Sequence, residues 1–185
     1  MTQFPEGLLH NNLPIPFKGF RIYHSNLTEL PDTLGPLWAN RQLISFDLVF
    51  TRISNIPASL VHLRSSGVAL VNSGIVSLPV NVFADKELEY LWLSGNPLDR
   101  LPDAIGSLAR LVQLRVERTN VTALPSWLQK WLDVDRLPSL PRDASLYGSP
   151  VCATGSLKLT SACSTDYKSD GESTALQYVL PQRQL

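Results

Sequence analysis

Sulfur, histidine and net charge are all scarce in this chain of 185 residues: it has two cysteines, one methionine and three histidines, and 16 basic residues are matched by 16 acidic ones. Zero net charge leaves no cationic field to draw in a phosphate backbone, so nucleic acid is not an expected partner. Two cysteines without neighbouring histidines supply too few ligands for a structural zinc site, and no metal is expected. No uncharged apolar run approaches the roughly 18 residues that a bilayer span needs, so this segment does not insert into a membrane by itself. The opening MTQFPEGLLHNNLPIPF lacks a basic stretch leading into an apolar core, so it is not a secretory signal. On that ground the chain is either cytosolic or a segment of something longer. Glycine-rich phosphate loops, paired histidine ligands and nucleophile elbows are also missing. His10, His24 and His62 are scattered and read as surface residues rather than bases. Neither a catalytic residue nor a cofactor is expected.

What the chain has in abundance is regularity. Leu-Pro or Ile-Pro dipeptides recur at Leu30, Ile56, Leu78, Leu101 and Leu124, with gaps of 26, 22, 23 and 23 residues. The clearest unit runs Leu88-x-x-Leu91-x-Leu93-x-x-Asn96-x-Leu98-x-x-Leu101-Pro102. The next holds Leu111, Leu114, Val116, Thr119, Val121 and Leu124 in the same slots, and an earlier one holds Leu43, Phe46, Leu48, Thr51, Ile53 and Ile56. The first unit begins at Phe17. The third is the weakest, with Ser65 where the first apolar residue belongs and Asp85 in place of a late one. Units of this size cannot bury an apolar face alone and must stack on their neighbours. Alternation at Leu91-Trp92-Leu93 has period two, so the leucines point inward and Trp92 outward, as in a short strand. The proline after each leucine stops a helix or central strand, so each unit returns through a turn, an extended piece or a short helix. With 44% apolar residues, one continuous core is affordable at this length.

These slots resemble the leucine-rich repeat, L-x-x-L-x-L-x-x-N-x-L, and the stretch LWLSGNPLDRLPDAIGSLARL resembles its 23-residue class. The order of segments, from MTQFPEGLL through NVTALPSWL to a Pro-x-Cys ending, is also similar to the repeat segments of oomycete membrane-associated leucine-rich-repeat proteins. The resemblance implies an α/β solenoid: a right-handed arc with short parallel strands on its concave face and turns or short helices on its convex face. Residues 1–16 form the N-terminal cap in this reading, 17–132 the five repeats, 133–163 a C-terminal cap with a degenerate sixth strand from Ala144, and 164–185 a flexible tail. Family members use the Asn96 slot to hydrogen-bond backbone where the strand turns away. Here it holds Ser25, Thr51, Ser73, Asn96 and Thr119, and the short hydroxyl side chains imply less regular early turns. The Pro-rich stretch DVDRLPSLPRD is expected to loop outward.

Cys152 and Cys163 both fall in the C-terminal cap. Extracellular members of the family commonly carry a disulfide there, whereas a cytosolic chain would keep both reduced. Asn26-Leu27-Thr28 and Asn120-Val121-Thr122 are N-glycosylation acceptors at equivalent slots, although chance alone supplies about one or two such triplets in a chain of this composition. Trp127 and Trp131, four apart, suit one face of a short helix covering the core end.

The remaining surface is the outward side of the strands. Its central column reads Arg21, Asp47, Ala69, Trp92 and Arg115; beside it run Tyr23, Val49, Val71, Ser94 and Glu117, then His24, Phe50, Asn72, Gly95 and Arg118, with Tyr90 next to Trp92. Aromatic and arginine side chains on a rigid surface have the composition of binding hot spots. Val49, Val71 and Phe50 serve equally well as filler over a diverged repeat. The expected function is recognition of a protein or peptide through Arg21, Tyr23, Asp47, Phe50, Tyr90, Trp92, Arg115, Glu117 and Arg118, in a segment of a secreted or membrane protein. The alternative is an intracellular signalling scaffold with reduced cysteines and bare acceptor asparagines.

Overall fold

Each apolar-x-apolar triplet of the repeat becomes a strand. The computed structural model describes residues 3–10, 12–14, 17–133, 143–154 and 160–164. A six-stranded sheet, parallel throughout, is built in chain order from β1 (Gly19–Tyr23), β3 (Ser45–Val49), β5 (Gly67–Val71), β6 (Tyr90–Trp92), β7 (Gln113–Arg115) and β8 (Asp143–Ser145). Two short strands, β2 (Gln42–Leu43) and β4 (Arg64–Ser65), pair just ahead of β3 and β5. The register stacks like slots on like, so that Phe20, Phe46, Val68, Leu91, Leu114 and Ala144 form one continuous row. Leu91 and Leu93 are fully buried while Trp92 is half-buried, as period two requires. The return segments are short: α1 (Leu34–Trp38), 3-10 turns at Ala58–His62 and Leu108–Arg110, and α2 (Ser126–Asp133). Gly35 and Gly106 let neighbouring units approach closely, because a Cβ there would fall 1.8 Å from the Ser59 carbonyl oxygen and 2.2 Å from that of Lys86.

The polar slot does more in the early units than their short side chains suggest. Thr51 Oγ1 donates to Ser73 Oγ at 2.9 Å, and the Ser73 N–H donates to Asn96 Oδ1 at 3.0 Å, so three consecutive units are linked. Asn96 Oδ1 also accepts from Ile75 N–H, and its Nδ2 donates to the carbonyls of Leu70 and Leu93. Thr119 and Ser149 share a hydroxyl contact of 2.9 Å and both donate to the Val116 carbonyl. The expectation of irregular early turns is therefore reversed. β1, β3 and β5 run five residues each, whereas β6, β7 and β8 run three.

Every strand of the main sheet is followed closely by a residue in the left-handed region: His24, Phe50, Asn72, Gly95, Arg118 and Gly148, with φ between 49° and 75°. Only two of the six are glycine, and each of the others carries a conformational cost of about 1 kcal/mol that the flanking ladders offset.

The weak third unit is repaired by polar chemistry. Ser65 is buried, and its hydroxyl donates to the Gly67 carbonyl at 2.6 Å. Phe83 packs in the core, and the buried Lys86 sends its ammonium to the carbonyls of Leu60, Val61 and Leu63 at 2.7–3.1 Å. Three donors thus meet three carbonyls at the end of the Ala58–His62 turn, while burial pulls the Lys86 amine down to about 8.

The ends are closed differently. Phe4, Phe17, Phe20 and Trp38 form an aromatic cluster over the first unit, with ring centroids 5.1–6.2 Å apart, and the Trp38 indole donates to the Leu8 carbonyl. Leu8, Leu9 and Leu13 pack against it. At the far end Trp127 and Trp131 are buried, and Trp127 Nε1 donates to the Pro102 carbonyl at 2.8 Å. The short helix α3 (Thr160–Cys163) lies on β8, where the Leu146 N–H donates to the Ala162 carbonyl, and a disulfide joins Cys152 to Cys163. Ile15, most of DVDRLPSLPRD and the tail beyond Ser164 lie outside the described residues.

Asn96→Ala would orphan four buried backbone groups at once. It should cost roughly 3 to 5 kcal/mol in urea melts, against less than about 1 for Ser25→Ala, whose half-buried hydroxyl accepts from the Leu27 N–H two residues on. Equal losses would remove Asn96 from its central place.

Candidate protein-interaction face

The side of the sheet turned away from the main core is not a bare pleated surface. β3 and β5 are buried on both faces, because Val49, Ala69 and Val71 form a second apolar cluster of their own. Tyr23, Phe50, Tyr90 and Trp92 pack over it. Tyr90 can lie flat there because its cross-strand neighbour is Gly67, where a Cβ would fall 1.9 Å from the ring. The Tyr90 and Trp92 rings meet at 4.9 Å, and Phe50 stacks on His24 at 4.8 Å.

Charged groups flank this cluster on both sides. Toward β1, the Tyr90 hydroxyl donates to Asp47 Oδ1 at 3.0 Å, and Arg21 Nε approaches Ser45 Oγ at 2.9 Å and Asp47 Oδ2 at 3.0 Å. Toward β8, Arg115 makes a two-pronged ion pair with Asp143, its Nη1 lying 2.9 Å from Oδ1.

The register does set Arg21, Asp47, Ala69, Trp92 and Arg115 side by side. Two of the residues expected to meet a partner do not present themselves. The Asp47 and Arg115 side chains are each 7% exposed, and both are engaged by ion pairs within the chain. Arg21 keeps 53% of its side chain exposed, Arg118 is exposed, and Tyr23, Phe50, Tyr90, Trp92 and Glu117 are half-buried. The Trp92 indole nitrogen is buried and has no hydrogen-bond partner among the described residues.

A family model described as Leucine Rich Repeat matches residues 87–108, the unit that carries Leu91, Trp92, Leu93 and Asn96. Residues 87–108 are thus a leucine-rich repeat. No curated protein and no solved structure matched the chain. The leucine-rich repeat is characteristic of protein-interaction modules, and the sheet face described above is the surface that its strands jointly present. Among the described residues no group of three or more histidine, cysteine, aspartate or glutamate side chains is arranged to hold a metal, and no helix is long and apolar enough to cross a membrane.

Burial governs the ionisation of this face. Desolvation raises Asp47 above the usual carboxylate range, against the opposing pull of the Tyr90 hydrogen bond and Arg21. Asp143 is raised for the same reason despite Arg115. Burial and the Asp47 charge together push the Tyr90 hydroxyl well above its ordinary value, so it stays a donor. Sequence reasoning missed the seat at Gly67, the Tyr90–Asp47 bond and Asp143. A glycine in an outward strand slot beside a tyrosine was the available signal for the first two.

Because the folded chain holds the Asp47 proton more tightly than the unfolded chain, this group's contribution to stability is full in acid and is lost as pH rises through its raised folded value. Tyr90→Phe removes a bond that favours the carboxylate. It should move the Asp47 carboxyl titration, followed by carbon NMR, to still higher pH; a downward or absent shift would contradict the bond.

Proposed function

We propose that this chain is a non-enzymatic recognition module whose repeats coil into a solenoid, with the Val49–Ala69–Val71 cluster on the concave face as the seat of an extended protein segment. The observation that carries this reading is Trp92. It is a half-buried ring at the centre of an apolar patch that the chain covers only in part. Half-buried aromatic anchors ringed by polar groups are where binding energy concentrates. Arg21, Glu117 and Arg118 supply the accessible charges of the rim.

Peptides selected on the folded chain from a displayed random library provide the test. Trp92→Ala with Glu117→Lys should weaken the selected peptides by at least ~2 kcal/mol while leaving the circular dichroism spectrum and melting point nearly unchanged. Asp103→Ala with Arg110→Ala, away from the sheet face, should leave binding intact. Loss with the second pair and not the first would move the site to another surface.

The reading extends to placement outside the cytosol, as part of a secreted or membrane protein. The Cys152–Cys163 bridge and the exposure of both Asn26 and Asn120 favour it over the intracellular scaffold. Protein secreted from eukaryotic cells should carry glycans at both asparagines and an oxidised bridge, read by intact mass before and after deglycosylation and reduction. The mass of the bare, reduced chain would contradict that placement.

A further inference from the structure

The two edges of the main sheet are treated differently. Beyond β8 lies α3, tied down by the disulfide and by the Leu146 to Ala162 hydrogen bond. Beyond β1 no strand follows in the sheet order among the described residues, and the aromatic cluster that closes this end packs on the inward side chain of Phe20. Ile44 N–H donates to the Lys18 carbonyl, so Lys18 faces β3, and by strand alternation the N–H and C=O of Gly19 and Arg21 point away from β3. Gly19 is exposed, and since glycine has no side chain that exposure belongs to its backbone. Neither proline nor a bulge lies within Gly19–Tyr23.

The charges select what fits. From Phe17 to His24 there is no acidic residue, and the exposed cations are Lys18 and Arg21. Arg21 spends only its Nε on Ser45 and Asp47, which leaves both Nη groups without a partner among the described residues. Pairing β1 with another copy of itself would set these cations against each other with no exposed anion to relieve them. We propose that the β1 edge accepts an acidic extended peptide segment by strand addition, its backbone pairing with Gly19 and Arg21 and its carboxylates facing Arg21 and Lys18. This site lies at the N-terminal edge of the sheet and shares only Arg21 with the rim of the Trp92 patch.

The test uses the whole chain with two fluorescent hexapeptides, Ac-TEVEVT-NH2 and Ac-TKVKVT-NH2, read by anisotropy at low salt and by NMR amide exchange. The acidic peptide should bind and slow exchange at the Gly19 and Arg21 amides, while the lysine peptide should not. Arg21→Glu should weaken the acidic peptide by about tenfold or more. Because Arg21→Glu also disturbs Asp47, Lys18→Glu serves as an independent variant, and its affinity should fall as well. Trp92→Ala should leave this binding unchanged, which separates it from the face proposed above. Equal binding of both peptides, or unslowed Gly19 and Arg21 amides at saturation, would overturn the proposal. So would a dimer in sedimentation equilibrium that Lys18→Glu alters, because the edge would then belong to a second copy.

Discussion

The side chain of Asn96 is the point on which the rest of the structure depends. It binds two N–H groups of the preceding unit, Ser73 and Ile75, and two carbonyls, Leu70 and Leu93, and it is almost completely buried. Those four groups are where two neighbouring strands end and turn. Left unpaired in the interior they would each carry a desolvation penalty of about 1 to 3 kcal/mol. Held together they fix the spacing of β5 and β6, and through Ser73 and Thr51 the constraint passes on to β3. The left-handed residues that close each strand are affordable because these bonds over-determine the turn.

From that constraint follows the surface. Once β3, β5 and β6 are locked in register, Tyr90 must sit opposite Gly67 and Trp92 opposite Ala69. The small residues on β5 then let the two rings on β6 fold down, and the Tyr90 hydroxyl lies within reach of Asp47 two strands away. A patch forms that no single unit encodes, apolar at its centre and ionic at its flanks. The same packing removes Asp47 and Arg115 from the accessible set, leaving the aromatic rings and the exposed Arg21 and Arg118 to meet a partner.

The rows were legible in the sequence because they depend only on spacing. Slots recurring every 22 to 26 residues predict which side chains become neighbours, and Arg21, Asp47, Ala69, Trp92 and Arg115 do lie in one row. Outward phase was mistaken for exposure at Asp47 and Arg115. Phase says which face a side chain leaves from, whereas burial depends on what a neighbour two strands away places over it, as Tyr90 does, or on an ion pair such as that with Asp143. The hydroxyl slots were also underestimated. A serine or threonine cannot span a turn as asparagine does, but stacked at Thr51 and Ser73, or at Thr119 and Ser149, two hydroxyls meet each other and share the task. Lys86 was invisible for a related reason, since a lysine in a weak repeat reads as solvated until three carbonyls are found around its ammonium.

Amide hydrogen exchange at Ser73 and Ile75 bears most directly on this account. Both N–H groups donate to Asn96 Oδ1. If the side chain is the lock described here, they exchange only through global unfolding, with the same free energy of opening as the core amides of Leu91 and Leu93. Exchange through a local opening, at markedly lower free energy than those leucines, would contradict it.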